Sequence, residues 1–487
     1  MSRRFSRSQR PPRRIRRHSF RGVSRRVRNT YGRNLRRTPK GIPGFVARVR
    51  KLLWAWWFWS LLGVGALYVH HWKLGILFGA LAMVAHITIP RELPPIYGLD
   101  HQFAVESEEF VSSISGATGV PFVEGNTLEL YNNGDEFYPA MLAAIENARA
   151  SITIEAYIYW AGSIGHRFAH ALAAKSREGV IVKILLDALG SARIGEDILK
   201  ILNDAGCQIA WYHPIRWYNL ARYNNRTHRK SLIIDGSLAF TGGAGIADHW
   251  LGHAEGPQHW RDMQISVKGP AVLALQAAFA QNWLPTTGEI VTGEPFYPPP
   301  VEAGDIPVQT VLSSPETGSS AVRIMYYLSI VCARKSVWIA NPYFVPDQVA
   351  IDILVDARKR GVDVKVMVSG KHNDSRLARL NGNRLFGSLL KCGVEVYEYN
   401  HTMLHHKIMI VDGVWATVGT TNFDNRSFAH NAENNICFAA TGCVAKLRES
   451  FLRDLGMCDQ IAYETWRRRP VWIKAAEGVV SLLQDQV

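Results

Sequence analysis

Histidine and lysine, separated by one residue and followed by aspartate, form a motif that occurs twice in this chain of 487 residues. The spacing, His-x-Lys-x4-Asp, is the same in both copies, and each copy lies in a run of β-branched residues and glycines. Three fixed positions rarely recur by chance, so the two copies predict two related half-sites. The first copy consists of His228, Lys230 and Asp235, and the second consists of His405, Lys407 and Asp412.

These residue types suit the transfer of a phosphoryl group between two oxygens. A phosphodiester is anionic and repels oxygen nucleophiles, so its site needs fixed positive charge, which Lys230 and Lys407 can place on the non-bridging oxygens. One neutral imidazole can attack phosphorus while the other, protonated, supplies a proton to the departing alkoxide. The reverse path would transfer the group to an acceptor alcohol. This chemistry requires no metal ion and no other cofactor.

Other polar residues are predicted to support the motifs. Each histidine and its lysine are two residues apart on a predicted strand, so both side chains should project from the same face. A histidine in such a role also needs a carboxylate on its second ring nitrogen, and we expect Asp262 and Glu433, which follow the first and second motif, to orient the two rings. In the turn after the second motif, Asn422 and either Thr420 or Thr421 are predicted to donate to the phosphate oxygens.

The residues around the motifs repeat as well, which indicates an internal duplication with one site at the junction of two halves. Each repeat alternates predicted strands with predicted helices, and this alternation predicts an α/β sandwich in each half. The matching stretches are 151–160 with 336–345, 179–186 with 361–368, and 206–212 with 393–399.

Seven parts are expected along the chain, and they differ in composition. They are an arginine-rich cytoplasmic tail at 1–51, a two-helix membrane anchor at 52–89, a connector at 90–125, a first half at 126–295, a linker at 296–306, a second half at 307–459, and a C-terminal segment at 460–487. The C-terminal segment is expected to act as a lid or to lie at a membrane interface, with an ordinary surface helix as the alternative.

Positive charge is concentrated at the N-terminus. Residues 1–51 contain 17 arginines, two lysines and no acidic residue, whereas the rest of the chain carries a net charge of −4. A nucleic-acid-binding surface on the body is therefore not predicted. We expect the tail to determine membrane topology and to contact anionic lipid, with a retention signal as the alternative.

Two apolar stretches follow the tail. Leu52–Val69 has no charged residue, and Leu74–Ile89 follows after a short polar break. Their lengths, and tryptophans clustered towards one end, predict a hairpin of two membrane-spanning helices; a buried helical pair in the globular core is the alternative. Because an arginine-rich tail resists translocation, two crossings would leave the catalytic body in the cytoplasm. The six cysteines form no Cys-x-x-Cys pair, which is compatible with a reducing compartment.

The chain resembles the phospholipase D superfamily and, within it, the bacterial cardiolipin synthases. Besides the paired motif, the resemblance rests on LDALGS at 186–191, WRD at 260–262, NPYFVP at 341–346 and GTTNFDNRSF at 419–428. It implies that the two halves pack about a pseudo-twofold axis and that the protein lies at the inner membrane of a bacterium. It also implies that one histidine becomes a phosphohistidine and that the other acts as acid and base. We assign the first role to His228 and the second to His405, with the reverse assignment as the alternative.

Three activities are consistent with this resemblance. The first is the transfer of a phosphatidyl group from one phosphatidylglycerol to another, which yields cardiolipin and glycerol without a nucleotide. The second is phospholipid hydrolysis, if water intercepts the phosphohistidine. The third is that of a membrane-tethered nuclease or nucleic-acid-binding protein, and the acidic body argues against it. We therefore expect phosphatidylglycerol and anionic phospholipid membranes, and no nucleic acid, as partners.

The first half departs from the superfamily pattern at one position of the site. Gly245 stands where the pattern usually has asparagine, whereas the second half keeps Asn422. The loss of one amide donor would cost about 1–3 kcal/mol of oxyanion stabilisation unless another residue replaces it. The first half also carries an insertion at 215–227, which is suited either to a lipid headgroup or to a surface loop.

Overall fold

The computed structural model describes residues 55–69, 71–88, 103–214, 225–315 and 320–481. The arginine-rich tail, the first part of the connector (90–102) and most of the 215–227 insertion lie outside these ranges. Helices α1 (Trp56–Tyr68) and α2 (Trp72–Thr88) pack against each other, with the rings of Trp59 and Phe78 stacked at 6.0 Å. No helix in the described ranges has both the length and the apolar character that a membrane crossing requires. The membrane-spanning hairpin predicted at 52–89 is accordingly not shown by the structure.

The first half follows helix α3 (Glu108–Thr118), which begins where the side chain of Ser107 accepts a hydrogen bond from the Phe110 amide. Strands and helices then alternate, as the repeat pattern predicts. Its elements are β1 (Val123–Asn132), α4 (Asn133–Glu146), β2 (Ser151–Ala156), α5 (Ser163–Arg177), β3 (Ile181–Asp187), α6 (Glu196–Asp204), β4 (Gln208–Tyr212), β5 (Arg226–Thr227), β6 (Ser231–Ile234), β7 (Leu238–Gly242), β8 (Met263–Lys268) and α7 (Val272–Thr287).

The second half repeats this order and adds three elements at its C-terminal end. Its elements are β9 (Ile306–Ser313), α8 (Ala321–Cys332), β10 (Ser336–Ala340), β11 (Phe344–Val345), α9 (Gln348–Lys359), β12 (Asp363–Ser369), α10 (Arg376–Lys391), β13 (Glu395–Tyr399), β14 (Ile408–Val411), β15 (Trp415–Gly419), β16 (Phe423–Asp424), α11 (Asn425–Ala429), β17 (Asn431–Phe438) and α12 (Thr441–Leu455), followed by β18 (Cys458–Gln460), α13 (Tyr463–Arg467) and α14 (Val471–Val480).

One continuous sheet runs through both halves. In the first half the strand order is β4-β3-β2-β6-β7-β8-β1, and in the second it is β13-β12-β10-β14-β15-β17-β9, so the two orders match strand for strand. The corresponding strands β1 and β9 join the halves in antiparallel pairing, with Val123 opposite Val308 and Asn126 opposite Ile306. Antiparallel pairing of equivalent strands relates the halves by an approximate twofold axis. The predicted pair of α/β halves is confirmed.

A hydrophobic core is shared between the halves. Phe279 and Trp283 of α7 and Leu447 and Phe451 of α12 are buried in the same cluster as Val308 of the joining strand β9. Complete burial of a side chain of this size contributes about 1.5–3 kcal/mol, so the shared cluster stabilises the junction as well as each half. A rigid junction is what a site assembled from two halves requires.

Candidate active site

The two His-x-Lys segments lie immediately before strands β6 and β14 and are not part of them. The prediction that these histidines and lysines sit on a strand is therefore wrong. The backbone explains why: the N–H of His228 donates to the carbonyl of Ala432 at 2.9 Å, and the N–H of His405 donates to the carbonyl of Arg261 at 2.7 Å. Each segment leaves the sheet of its own half and pairs with the other half.

The histidine of the first half is held by the acid of the second. Nδ1 of His228 lies 3.0 Å from both carboxylate oxygens of Glu433, and both residues are buried. Glu433 also accepts a hydrogen bond from the Thr420 hydroxyl at 2.5 Å and one from the Asn431 amide at 3.2 Å. Because Nδ1 is occupied, Nε2 is the ring nitrogen of His228 left for chemistry.

The histidine of the second half is held in the same way by the acid of the first. Nδ1 of His405 lies 2.8 Å from Oδ2 of Asp262. The same oxygen accepts a hydrogen bond from the Trp250 indole at 2.8 Å, and the other oxygen accepts one from the Met263 amide at 2.8 Å. The structure therefore brings both sequence-predicted acids to the two histidines, each across the junction.

A buried ion pair fixes the segment that carries Asp262. Nε of Arg261 lies 3.0 Å from both carboxylate oxygens of Asp454 on α12. The same guanidinium donates to the Asn132 side chain at 2.9 Å and to the Asp262 carbonyl at 2.8 Å. The carbonyl of Arg261 also accepts a hydrogen bond from the His405 amide, so this network couples the position of His405 to both halves.

Three aromatic side chains lie around the His405 ring, whereas the His228 ring has Tyr157 at 5.2 Å. The rings of Trp250 and Trp260 each lie 5.4 Å from the His405 ring, and Tyr343 lies 6.4 Å away. The hydroxyl of Tyr343 donates to Asp374, and burial, together with that carboxylate, raises the pKa of Tyr343 well above its ordinary value. Sequence reasoning named none of these rings as site residues. Two of the rings could have been found from the family resemblance, because Trp260 lies in the stretch WRD and Tyr343 in the stretch NPYFVP.

The two motif lysines are buried beside the histidines. Nζ of Lys230 donates to the carbonyl of His228 at 2.9 Å, and Nζ of Lys407 lies 3.0 and 3.1 Å from the two ring nitrogens of His405. Burial and the charge of Lys407 lower the pKa of Lys230 to about 7. Burial lowers the pKa of Lys407 to about 8, although Asp262 and Glu433 oppose the shift. The site is therefore a buried, low-dielectric environment with two lysines whose charged form an anionic ligand would stabilise.

Burial also determines the protonation of the histidines. It lowers the pKa of His228 to about 4 despite the opposing effect of Glu433, and burial and Lys407 lower the pKa of His405. Burial alone would raise the pKa of Glu433 and of Asp262, but the hydrogen-bonded histidines bring both below their ordinary values. These shifts favour neutral imidazoles beside ionised carboxylates near neutral pH.

The predicted phosphate donors divide into two kinds. The Thr420 hydroxyl donates to Glu433 and accepts from the Asn434 amide, so its hydrogen belongs to the carboxylate and the prediction that it binds phosphate is corrected. Asn422 is 5% exposed, and its Oδ1 has no hydrogen-bond partner among the described residues. Oδ1 is an acceptor, whereas a phosphate oxygen needs a donor, so the donation from Asn422 to phosphate stays a prediction.

Gly243 and Gly245 are the first-half counterparts of Thr420 and Asn422, and backbone packing explains them. A Cβ on Gly243 would lie 2.2 Å from Oδ1 of Asp262. A Cβ on Gly245 would lie 2.9 Å from both Cβ and the carbonyl oxygen of Ile158. In this half the Trp250 indole makes the hydrogen bond to the acid that Thr420 makes in the other half.

Asp235 and Asp412, the last residues of the motifs, lie at the far ends of strands β6 and β14 from the histidines. The Asp412 carboxylate accepts hydrogen bonds from the amides of residues 334, 335 and 336 at 2.7–3.1 Å, and Asp235 accepts from residues 149, 150 and 151 at 2.7–3.2 Å. Their φ angles are 50° and 55°, values typical of an Asp-Gly hairpin turn. The assignment of these two aspartates as catalytic is therefore corrected to a structural role.

Metal ligands were not expected from the sequence. Within the ranges that the structure describes, no group of three or more His, Cys, Asp or Glu side chains is arranged to hold a metal ion. The buried cations beside the histidines are the ammonium groups of Lys230 and Lys407.

Comparisons with known proteins were made for the whole chain. The family described as "Cardiolipin synthase, PLD-like domain" matches residues 141–283 and 329–455, which contain the two halves of the site. A cardiolipin synthase from Geobacillus kaustophilus is 36% identical over 354 residues, which cover 72% of this chain and 70% of the relative. Cardiolipin synthase 2 from Bacillus cereus is 36% identical over 372 residues, which cover 76% and 72%.

A solved structure shares the fold at low sequence identity. The phosphatidylserine synthase from Haemophilus influenzae superimposes with a TM-score of 0.57 and 13% identity, covering 77% of this chain and 99% of the other. At this identity the likeness concerns the fold alone.

Proposed function

The chain belongs to the cardiolipin synthase family with the phospholipase D-like domain, and on that premise we propose that it moves a phosphatidyl group from one phosphatidylglycerol molecule to a second. The products are cardiolipin and glycerol. The chain is a phosphatidyltransferase, and the bond that is broken and the bond that is formed are both phosphodiesters. No nucleotide is consumed because the two bonds are nearly equivalent in energy.

The observation that carries this proposal is the crossed pairing of histidines and acids. His228 with Glu433 and His405 with Asp262 form two oriented imidazoles in one buried site. In each of them Nδ1 faces the carboxylate, and Nε2 of His405 lies 3.1 Å from the Lys407 ammonium. Two oriented imidazoles supply what a two-step transfer needs, a nucleophile and an acid that later acts as a base.

In the first step, Nε2 of neutral His228 attacks the phosphorus of the donor lipid. The P–O bond to glycerol breaks, and protonated His405 gives its proton to the leaving oxygen. Binding of the phosphodiester beside Lys407 and His405 favours the protonated imidazole, since the anion offsets the burial that lowers the pKa of His405. Lys230, Lys407 and Asn422 stabilise the charge on the non-bridging oxygens.

In the second step, the terminal hydroxyl of another phosphatidylglycerol takes the place of glycerol. Neutral His405 removes its proton, the oxygen attacks phosphorus, and the bond between phosphorus and Nε2 of His228 breaks. His405 ends protonated and His228 ends neutral, as at the start of the cycle. The aromatic rings around His405 restrict the space open to water, which favours a lipid alcohol over hydrolysis.

We further propose that the protein works at the inner membrane of a bacterium with its catalytic body on the cytoplasmic side. The support for this orientation is the concentration of 17 arginines in the first 51 residues, which resists translocation. The substrate, an anionic lipid, is present in that membrane leaflet.

The experiment is to incubate purified protein with phosphatidylglycerol labelled in its headgroup glycerol and to resolve the lipids and the released glycerol. Equal amounts of diphosphatidylglycerol and glycerol are expected. If phosphatidic acid were the sole lipid product, the reaction would be hydrolysis and not transfer.

Histidine variants connect the product to the site. His228→Ala and His405→Ala should each lose at least about a thousandfold in kcat, since either change removes a reacting group. His253→Ala is the matched control, because that histidine is 71% exposed. Full turnover in either site variant would eliminate the mechanism.

A further inference from the structure

Helices α13 and α14 are attached to the body by a clamp on their inner side. The guanidinium of Arg469 donates to the Glu477 carboxylate at 2.9 and 2.6 Å and lies 3.9 Å from the centre of the Trp466 ring. The Trp466 indole donates to the carbonyl of Asn383 on α10 at 2.7 Å. Glu477 is 1% exposed, so these contacts hold the inner side of α14 rigidly against the body.

The opposite side of α14 is apolar and faces outward. Val471, Trp472 and Val479 are 81%, 72% and 67% exposed. With Ala475, which is also exposed, they occupy an arc of about 100° at the helical repeat of 3.6 residues. A surface helix ordinarily turns this stripe towards the core, so α14 presents apolar residues where polar ones are usual. We refer to Val471, Trp472, Ala475 and Val479 as the α14 outer face.

Positive charge borders the α14 outer face. Arg467, Arg468 and Lys474 are exposed beside it, whereas Glu464 is the one exposed acidic residue in the described stretch from α13 to α14. The other acidic residue there, Glu477, is buried against Arg469. This local excess of cations contrasts with a net charge of −4 for residues 52–487. An apolar face bordered by cations matches an anionic bilayer, whose headgroups are negative and whose interior is apolar.

Helices α13 and α14 pack on helix α10, which leads towards the catalytic site. Helix α10, on which Trp466 rests at Asn383, begins one residue after Ser375, and Asp374 accepts the hydroxyl of Tyr343 beside His405. Eight helical residues between Ser375 and Asn383 span ~12 Å. Helices α13 and α14 are therefore attached to the helix whose N-terminal end adjoins Asp374 and Tyr343.

We propose that the α14 outer face is a lipid-contact surface. Trp472, Val471 and Val479 enter the interfacial layer of an anionic bilayer, and the neighbouring cations contact lipid phosphates. The contact places α10, and with it the Tyr343 and Asp374 side of the catalytic site, close to the headgroup layer. The choice of a bilayer as the occupant rests on the proposed function, since both substrates are then bilayer lipids.

The test places a fluorescent residue on this face in the full chain. Dansylalanine is incorporated at position 472, or at the control position 301, where Val301 is 74% exposed in the linker. Each protein is reconstituted in phosphatidylglycerol vesicles with or without brominated acyl chains, which quench by contact. Brominated lipid should quench position 472 about twofold or more and leave position 301 nearly unchanged, as expected for a side chain at interfacial depth. Equal quenching at the two positions overturns the proposal.

A second copy of the chain on this face gives a different result. Fluorescence at position 472 would then depend on protein concentration and not on brominated lipid, and this outcome also overturns the proposal. Formation of cardiolipin is measured in the same samples. If position 472 were quenched but no cardiolipin formed, the contact surface would stand and the proposed function would fall. If cardiolipin formed but position 472 were not quenched, the proposed function would stand and the contact surface would fall.

Activity supplies an independent measurement. The double variant Trp472→Ser/Val479→Ser should raise KM for phosphatidylglycerol in vesicles about tenfold, with kcat on a short-chain, water-soluble phosphatidylglycerol unchanged. Val301→Ser is the matched control and should change neither. An unchanged KM on vesicles in the double variant overturns the proposal.

Discussion

The carboxylate of Glu433 holds Nδ1 of His228 from across the junction of the two halves, with both oxygens 3.0 Å from that nitrogen. Asp262 holds His405 in the reverse direction at 2.8 Å. Each half thus supplies a histidine that it cannot orient and an acid that orients the other histidine. The duplication built a site that exists only when both halves are packed together, which is why the shared core matters for activity as well as stability.

Replacing Glu433 by glutamine should abolish most of the activity. The amide is nearly isosteric, but it does not offer two anionic acceptors to Nδ1 of His228. The tautomer of the ring is then no longer fixed, and the positive charge that develops on the ring is no longer stabilised. We expect kcat to fall about a hundredfold or more, by analogy with the aspartate of a catalytic triad. The measurement is the initial rate of cardiolipin formation.

A matched control distinguishes this effect from a general loss of a carboxylate. Glu289 pairs with Lys183 at 2.7 Å on the first half and is 48% exposed. Glu289→Gln should keep near-normal kcat. If Glu433→Gln kept a rate within twofold of the parent, the orienting role of Glu433 would be refuted.

Activity should decline as the pH rises above neutrality. Burial and the charge of Lys407 lower the pKa of Lys230 to about 7, so Lys230 is charged below that pH and loses its proton above it. Because burial lowers the pKa of His228 to about 4, this nucleophile is neutral between about pH 4 and pH 7, where Lys230 is still charged. The pH profile of kcat/KM, which reports the free enzyme, should therefore fall with an apparent pKa near 7.

The Lys230→Arg variant identifies the group behind that decline. Arginine stays protonated throughout the range, so the alkaline limb of kcat/KM should move to higher pH even if the maximum rate is lower. An alkaline limb that stayed in place in Lys230→Arg would assign it to another group. The candidates are His405, the acid of the first step, whose pKa burial lowers, and Lys407, whose pKa is lowered to about 8.

Local elements were predictable from the sequence, because their signals are local. The repeated stretches 206–212 and 393–399 contain the strands Gln208–Tyr212 and Glu395–Tyr399, in line with the predicted alternation of strands and helices. The two acids were found because they follow equivalent glycine turns. The repeat order gave two halves because equivalent sequences fold into equivalent units.

Pairing across the junction was not predictable in the same way. The His-x-Lys segments read as strands because β-branched residues follow them, yet their amides bond to Ala432 and Arg261 of the opposite half. The hydrogen bond from Trp250 to Asp262 replaces that from Thr420 to Glu433, and no spacing signals this exchange. Contacts between distant segments depend on the packed junction, which a single sequence does not display.

The motif aspartates should affect stability more than chemistry. Asp412→Ala leaves the amides of residues 334–336 without their acceptor, so the free energy of unfolding should fall by about 1–3 kcal/mol. The rate per folded molecule should stay within about threefold of the parent, since the carboxylate points away from the histidines. Chemical denaturation and active-site titration measure the two quantities. A large loss of kcat with unchanged stability would restore Asp412 to the catalytic residues.

Restoring asparagine at position 245 should not improve the enzyme. Its Cβ would meet Ile158 at 2.9 Å on both a side-chain and a carbonyl atom, so Gly245→Asn should destabilise the protein by about 1–3 kcal/mol and lower kcat. Gly116→Ala is the control, because a Cβ there meets nothing within 4 Å in helix α3, and it should be neutral or stabilising. Thermal denaturation compares the two. Higher activity with an unchanged melting temperature in Gly245→Asn would contradict the packing argument.

The roles of the two histidines should be distinguishable with a substrate whose leaving group needs no proton. A phosphatidyl ester of p-nitrophenol needs no proton on its leaving oxygen, so His405→Ala should still release nitrophenol once per enzyme and then stop, because no base remains to activate the acceptor. The trapped phosphatidyl group should be found by peptide mass spectrometry on His228, where Nδ1 is held by Glu433 and Nε2 is free to bond to phosphorus. His228→Ala should give no such burst. If the group were instead trapped on His405 in His228→Ala, nucleophile and acid would exchange places while the crossed pairing of acids and histidines would stand.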